Sequence, residues 1–250
     1  MERIAYERFR ELEKSHFWFL SRREIFFDVL DRALPRTEGL NVLEIGCGAG
    51  GMLVPLQSYG QVYGTDIDVE YLRYCKERGF RNVLAGSGHD LPFADAAYDL
   101  VALFDCLEHI PDEARALSEI HRVLKPGGHV FFSVPAYEWL WSNNDDIAHH
   151  QRRYTKKRLV RALRNAGFEV RRASYFNTLL LPLIVPSVLI QKLRGALGWL
   201  PEGYNNTSVP VPKALNWLFT KLMSSERFAL RAVNLPFGHS LIAVAQRPQG

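Results

Sequence analysis

Ten residues constrain this chain more than any others: Val42-Leu43-Glu44-Ile45-Gly46-Cys47-Gly48-Ala49-Gly50-Gly51. A short apolar run of strand type gives way to alternating glycines. Met52-Leu53-Val54-Pro55-Leu56 follows as the expected start of a helix. Glycine suits the turn between them because it tolerates positive φ and lets main chain approach a ligand with no Cβ in the way. The N–H groups of such a turn are expected to be free, forming a pocket for an anionic or carbonyl-bearing ligand.

Two ligand classes fit the spacing. Gly46, Gly48 and Gly51 satisfy the dinucleotide fingerprint G-x-G-x-x-G, with Asp66 at a suitable distance. Gly50 also completes G-x-G-x-G, and Glu44 lies two residues before the first glycine. A carboxylate there suits a cationic amino group better than a pyrophosphate. In this form the stretch resembles motif I of the class I S-adenosylmethionine (SAM) dependent methyltransferases, whose cofactor carries an α-amino group and a sulfonium. The resemblance implies an α/β fold: a Rossmann-like, doubly wound seven-stranded sheet with an antiparallel last strand. It implies that Glu44 takes the amino group and that Gly46, Cys47, Gly48 and Gly50 line the turn.

At 250 residues the chain is long for one domain and short for two, so one α/β core with an appendage is expected. The expected parts are a helical lid over 1–38, a cofactor-binding core over 39–176, a helical insertion over 177–235 and a last strand with its tail over 236–250. Apolar residues make up 47% of the sequence, which argues against disorder. Cys47, Cys75 and Cys106 form no C-x-x-C pair, so neither a disulfide framework nor a zinc site is expected. With no signal-like apolar stretch behind Met1, a cytoplasmic setting follows.

Residues 2–14 read as a charged amphipathic helix, and Ser21 as the N-cap of a second helix to about Leu34. Between them, Phe17-Trp18-Phe19 precedes Arg22 and Arg23. This cluster either packs on the sheet or closes over the cofactor, with Arg22 meeting its carboxylate. Strands are expected at 41–45, 61–65, 82–85, 98–104, 129–134, 168–173 and 239–246. Asp66, ending the second strand, is placed to bind both ribose hydroxyls. Ile67 would cover the adenine, and Asp68, Asp112 and Thr155 would each cap the helix that follows it. The segment Gly86-Ser87-Gly88-His89-Asp90 resembles the family's third motif but has Ser87 in place of its acid. The adenine contact then shifts to His89, Asp90 or backbone, with Gly88 and Phe104 counted in the cofactor site. Leu-Lys-Pro-Gly-Gly before the fifth strand is a further resemblance.

The loop from Pro135 to Tyr154 is polar and aromatic, and it follows strand 5, where open α/β sheets keep their substrates. Its run resembles a subset of bacterial methyltransferases associated with polysaccharide or lipid modification. His109, just after strand 4, and His150, in this loop, are the candidate bases for a hydroxyl acceptor. Asp105, Glu108 and His109 form D-x-x-E-H, similar to the E-x-x-E-H run of quinone-biosynthesis O-methyltransferases, where a divalent metal has been proposed. No metal is carried into the expected site.

Net charge is only +4, yet Gln151 to Arg172 holds nine Lys/Arg and a single acid, Glu169. Lys156, Lys157 and Arg158 oppose the macrodipole of the helix they open. They are either a solvated face or a contact for a phosphorylated or lipid neighbour. The apolar run 179–190 holds two prolines and is too short to span a bilayer. That leaves burial, a homodimer contact, or peripheral contact through 177–200 with the inner face of a membrane.

The expected function is thus transfer of a methyl group from SAM to a hydroxyl of an anionic, glycan- or lipid-linked small molecule. Nucleic acid is not expected as substrate, because the D/N-P-P-Y/F motif of base methyltransferases is absent. The rivals are a nicotinamide oxidoreductase and a non-catalytic SAM-binding subunit docking a membrane or enzyme partner.

Overall fold

A computed structural model describes residues 12–35, 38–199 and 211–249. In chain order the elements are α1 (Phe17–Ala33), β1 (Leu40–Ile45), α2 (Leu53–Leu56), β2 (Gly60–Asp66), α3 (Val69–Glu77), β3 (Val83–Ala85), β4 (Tyr98–Phe104), α4 (Glu113–Val123), β5 (Leu124–Pro135), α5 (Asn143–Ile147), α6 (Lys156–Asn165), β6 (Glu169–Phe176), α7 (Leu181–Ala196), α8 (Lys213–Ala232) and β7 (Ser240–Gln246).

Successive side chains of a strand point to opposite faces, and this alternation sorts the core into two layers. Val42, Leu100, Ala102, Phe131, Ile242 and Val244 face Ile25, Phe26, Val29 and Leu30 of α1, with Met223 and Leu230 of α8. Leu43, Val101, Leu103, Phe132 and Ala243 face Leu117 and Ile120 of α4 and Leu159 and Leu163 of α6. Each such buried aliphatic or aromatic side chain contributes roughly 1.5–3 kcal/mol.

The sheet runs β3-β2-β1-β4-β5-β7-β6. β7 lies antiparallel to both β5 and β6, while the other pairs are parallel. Strand order reverses between β1 and β4, so the loops after these strands diverge and leave a crevice at their carboxyl ends. Every candidate site residue except Arg22 and Gly88 lies at the end of β1, β2 or β4 or in a loop that follows β1, β2, β4 or β5.

Several local expectations change. α1 begins four residues before Ser21: His16 is its N-cap, with Nδ1 accepting from Trp18 N at 3.3 Å. Ser21 is buried inside the helix and donates to Thr220 O of α8. The helix after the glycine turn is a single four-residue turn. β5 starts at Leu124 rather than His129, and β6 continues to Phe176. Asp68, Asp112 and Thr155 cap α3, α4 and α6 as their positions suggest. The helix expected over 2–14 falls mostly outside the described residues.

α8 is fastened to α1 by Arg227–Glu24 and Arg231–Asp28 ion pairs and by Asn216 Oδ1, which accepts from Phe17 N at 2.8 Å. Buried Glu226 anchors the start of the insertion by accepting from the amides of Thr178 and Leu179 at 2.7 and 2.8 Å. α7 is different: Leu183, Leu189, Ile190, Leu193 and Leu197 are exposed along it. Among the described residues no helix is long and apolar enough to cross a membrane.

Candidate active site

The glycine turn takes its shape from the end of β2. Gly46, Gly48 and Gly50 all have positive φ, at 73°, 50° and 80°. A Cβ on Gly46 would overlap Cys106 Sγ, whereas one on Gly48 would project into open space. The turn's amides are not free as expected. Gly46 N and Cys47 N both donate to Thr65 O, Gly48 N donates to Asp66 Oδ2 at 2.8 Å, and Gly50 N donates to Cys47 O. The turn is sewn to β2, and its ligand-facing surface is bare main chain rather than a row of donors.

Glu44 sits beside this surface. Its neighbours across the sheet are the small residues Gly64 and Ala102. The residue is 3% exposed, and its Oε2 is buried with no hydrogen-bond partner. Burial, then the nearby Cys75, Glu13 and Asp66, drives this carboxyl well above the ordinary carboxylate range. Glu13, which approaches Gly51, was not anticipated in the site; burial raises its pKa too. Asp66 accepts from Gly48 N and, through Oδ1, from Asp68 N at 2.9 Å. Three acids therefore converge on one turn. Such a field favours a cation and disfavours a pyrophosphate.

The remaining cofactor candidates divide. Ile67 is 77% exposed beside Asp66, free to cover a ring. Gly88 is buried where a Cβ would strike Ile110. The Cys47 side chain packs with Leu53, Leu72 and Cys75, so only its main chain faces the turn. The Phe104 ring is taken up by stacking on Phe26 at 5.6 Å and by Phe131.

Arg22 meets a protein carboxylate. Its Nη2 lies 2.5 Å from Asp105 Oδ2 and donates to Ser133 Oγ, while its guanidinium lies 5.0 Å from the Trp18 and Phe26 ring centroids. A buried guanidinium needs an opposite charge. Asp105 supplies it from a strained left-handed backbone, φ 48°, fixed by Ser133 on both its amide and its carboxylate.

On the other side of the crevice His109 and His150 come together, with ring centroids 4.6 Å apart. Desolvation and then the neighbouring His150 lower His109 to about 4, so its ring is neutral at physiological pH. His150 Nδ1 is 2.8 Å from Asp145 Oδ1. Asp145 is buried and held by Arg153 Nε and Nη2 at 2.8 and 2.9 Å and by Ser142 N at 2.8 Å. Glu108 is fully buried against the same pair of histidines, with neither carboxylate oxygen hydrogen-bonded. His239 completes this wall: burial, then Arg153, lowers its pKa to about 3. Reasoning from sequence had assigned it only to the last strand.

The basic run is largely structural. Arg152 donates to Ile110 O and Pro111 O, Arg153 to Ala136 O and Asp145, and Arg158 to Arg153 O. Arg152 pins the post-β5 loop to the post-β4 turn, as does Gln151 N donating to Glu108 O.

Comparison with known proteins agrees with the sheet order and the turn. Residues 43–132 match the family model "Methyltransferase domain". A protein of Mycolicibacterium smegmatis named probable S-adenosylmethionine-dependent methyltransferase is 34% identical over 163 residues, covering 64% of this chain and 62% of the relative. The ubiquinone biosynthesis O-methyltransferase of Sodalis glossinidius is 34% identical over 115 residues, covering 42% of this chain and 46% of the relative. The chain thus spans less than two thirds of these relatives' length. A methyltransferase solved in complex with the Haloferax volcanii Trm112 methyltransferase activator shares the fold, with a TM-score of 0.60 and 21% identity over 96% of this chain and 93% of that one. With its Glu44-to-Gly50 turn, its Asp66 and its antiparallel β7, the chain is similar to the class I SAM-dependent methyltransferases and has their Rossmann-like fold.

Proposed function

We propose that the chain transfers a methyl group from SAM to a hydroxyl of an anionic, glycan- or lipid-linked small molecule. The observation that carries the cofactor half is Glu44: a buried carboxyl with an orphaned oxygen beside a turn where the Gly48 position is open. An ammonium group satisfies that oxygen, and the three converging acids favour the cationic ligand over a dinucleotide's pyrophosphate. Asp66 accepts the ribose hydroxyls with the lone pairs that Gly48 N and Asp68 N leave unused. When bound, the cofactor supplies an electrophilic methyl group on sulfur.

Methyl transfer from a sulfonium is mainly a problem of alignment. A hydroxyl acceptor adds a proton that must leave, and the His109–His150 pair with Glu108 lies where that proton can be handled. The relative named for ubiquinone biosynthesis is named as an O-methyltransferase, which supports a hydroxyl.

The anionic or lipid part of the reading is supported by the insertion. Its described stretches 177–199 and 211–235 carry Lys192, Arg194, Lys213, Lys221, Arg227 and Arg231 against one acid, the buried Glu226, with Trp199 and Trp217 exposed. Cations beside exposed aliphatic and indole groups suit an anionic lipid surface. Lys192 Nζ donates to Trp139 O of the post-β5 loop, linking this face to the acceptor side. Labelled SAM incubated with the protein and a bacterial envelope extract tests the activity. A labelled, base-stable ether in the lipid or glycan fraction is expected, and no labelled product in any fraction would leave a SAM-binding subunit without catalysis.

A further inference from the structure

Glu108 is the most costly side chain in the crevice as it stands. It is fully buried, and neither oxygen has a hydrogen-bond partner. A carboxylate taken out of water without a partner is strongly disfavoured. The two arginines whose charge reaches it, Arg22 and Arg153, are committed elsewhere, to Asp105 and Asp145. What faces Glu108 directly is a pair of imidazoles. One ligating atom each from Glu108, His109 and His150 lie within 4.8 Å of one another.

We propose that Glu108, His109 and His150 form a binding site for a divalent first-row metal ion, with Asp145 as the positioning residue that aims His150. Donors around such an ion at about 2.0–2.2 Å sit roughly 3–4 Å from each other, so a shift of about 1 Å closes the set. Two imidazoles and one carboxylate suit zinc, iron(II), cobalt or manganese and leave coordination positions open. The Asp145 contact to Nδ1 turns Nε2 of His150 into its ligating atom. A carboxylate behind a ligating histidine is the usual outer partner at metal sites. Arg153 and Ser142 saturate Asp145 and keep it there. Asp105 is not a ligand even though it opens the D-x-x-E-H run. Arg22 and Ser133 occupy its carboxylate. The third ligand comes instead from the loop after β5, which Gln151 N ties to Glu108 O.

The location deepens the proposed function: an open position on the ion is a place for the acceptor's oxygen. Metal uptake itself does not depend on that reading. The test is titration of the EDTA-treated full chain with cobalt(II), followed by calorimetry and by the visible ligand-field bands, beside a separate SAM titration. One equivalent is expected to bind with micromolar or tighter affinity and to give bands of a histidine-ligated site. Glu108→Gln and His150→Ala are each expected to weaken binding at least tenfold with circular dichroism unchanged. Asp145→Asn is expected to weaken it about tenfold, and Asp105→Asn to leave it within about threefold. Absence of stoichiometric binding would overturn the site, as would binding that Glu108→Gln and His150→Ala leave intact. Loss on Asp105→Asn alone would replace this ligand set with the sequence run. SAM binding without metal uptake overturns this inference only; metal uptake without SAM binding overturns the proposed function only.

Discussion

The two walls of the crevice are built by different means. On the β1–β2 side the surface is main chain: three glycines of positive φ, two of them stitched to Thr65 and Asp66, with a single orphaned acid. On the β4–β5 side it is side chain: Arg22–Asp105 and the Glu108–His109–His150 group, which draw on distant parts of the chain, and the local Asp145–Arg153 pair. A main-chain wall cannot vary without breaking the turn, so it suits one invariant ligand. A side-chain wall can be changed residue by residue, so it suits an acceptor that differs between relatives.

That contrast can be broken from either side. The largest effect is expected from Asp145→Ala, which leaves the Arg153 guanidinium buried without its carboxylate. A loss of about 3–5 kcal/mol in unfolding stability is expected. SAM affinity should stay within a few-fold, because the opposite wall is untouched. Denaturant titration and calorimetry on one variant read both. A stable variant that no longer binds SAM would merge the two walls into one unit. Gly46→Ala comes next. It forces a Cβ onto Cys106 at φ 73° and should cost about 2–4 kcal/mol from strain and overpacking. SAM binding should fall with it, and a fully stable variant would mean that the turn tolerates a side chain.

Asp66→Ala removes the ribose acceptor and also releases Gly48 N. Cofactor affinity should weaken by about 1–3 kcal/mol with little change in the metal titration. Unchanged affinity in calorimetry would remove Asp66 from the site. The smallest effect concerns the insertion. Leu189→Ser with Leu193→Ser removes two exposed aliphatic groups from α7. Sedimentation with anionic vesicles should drop several-fold, at about 1 kcal/mol for each partly inserted side chain. Equal pelleting of both forms would assign this face to a second copy or to solvent.

Legibility in the sequence follows the same division. The glycine turn, Glu44 and Asp66 lie within a short stretch, so spacing located them, and the seven-stranded sheet with its antiparallel last strand followed from the resemblance. The caps at Asp68, Asp112 and Thr155 were equally local. Five things were not legible. The turn's amides looked free because their acceptors, Thr65 O and Asp66, lie on another strand. Arg22 looked like a ligand contact because nothing near it in sequence announces Asp105. His239 joins the acceptor wall only because β7 inserts between β5 and β6. The start of α1 was misplaced since His16 capped it where a serine was expected. The basic run invited an anion, but arginines that hydrogen-bond carbonyls cannot be told by sequence from those that face solvent.

The central claim is that Glu44, buried with its Oε2 unpaired, receives an ammonium group. Burial holds its carboxyl well above the usual range in the free protein, and a cationic amino group arriving beside it favours the carboxylate. Below the pH at which the free carboxyl ionises by itself, SAM binding should therefore release a proton, and affinity should rise with pH. Calorimetry of SAM binding in buffers of different ionisation enthalpy measures this release. The account predicts a buffer-dependent heat that disappears in Glu44→Gln, together with weaker binding and unimpaired folding. A heat independent of buffer, with Glu44→Gln binding SAM as tightly as the parent protein, would contradict it.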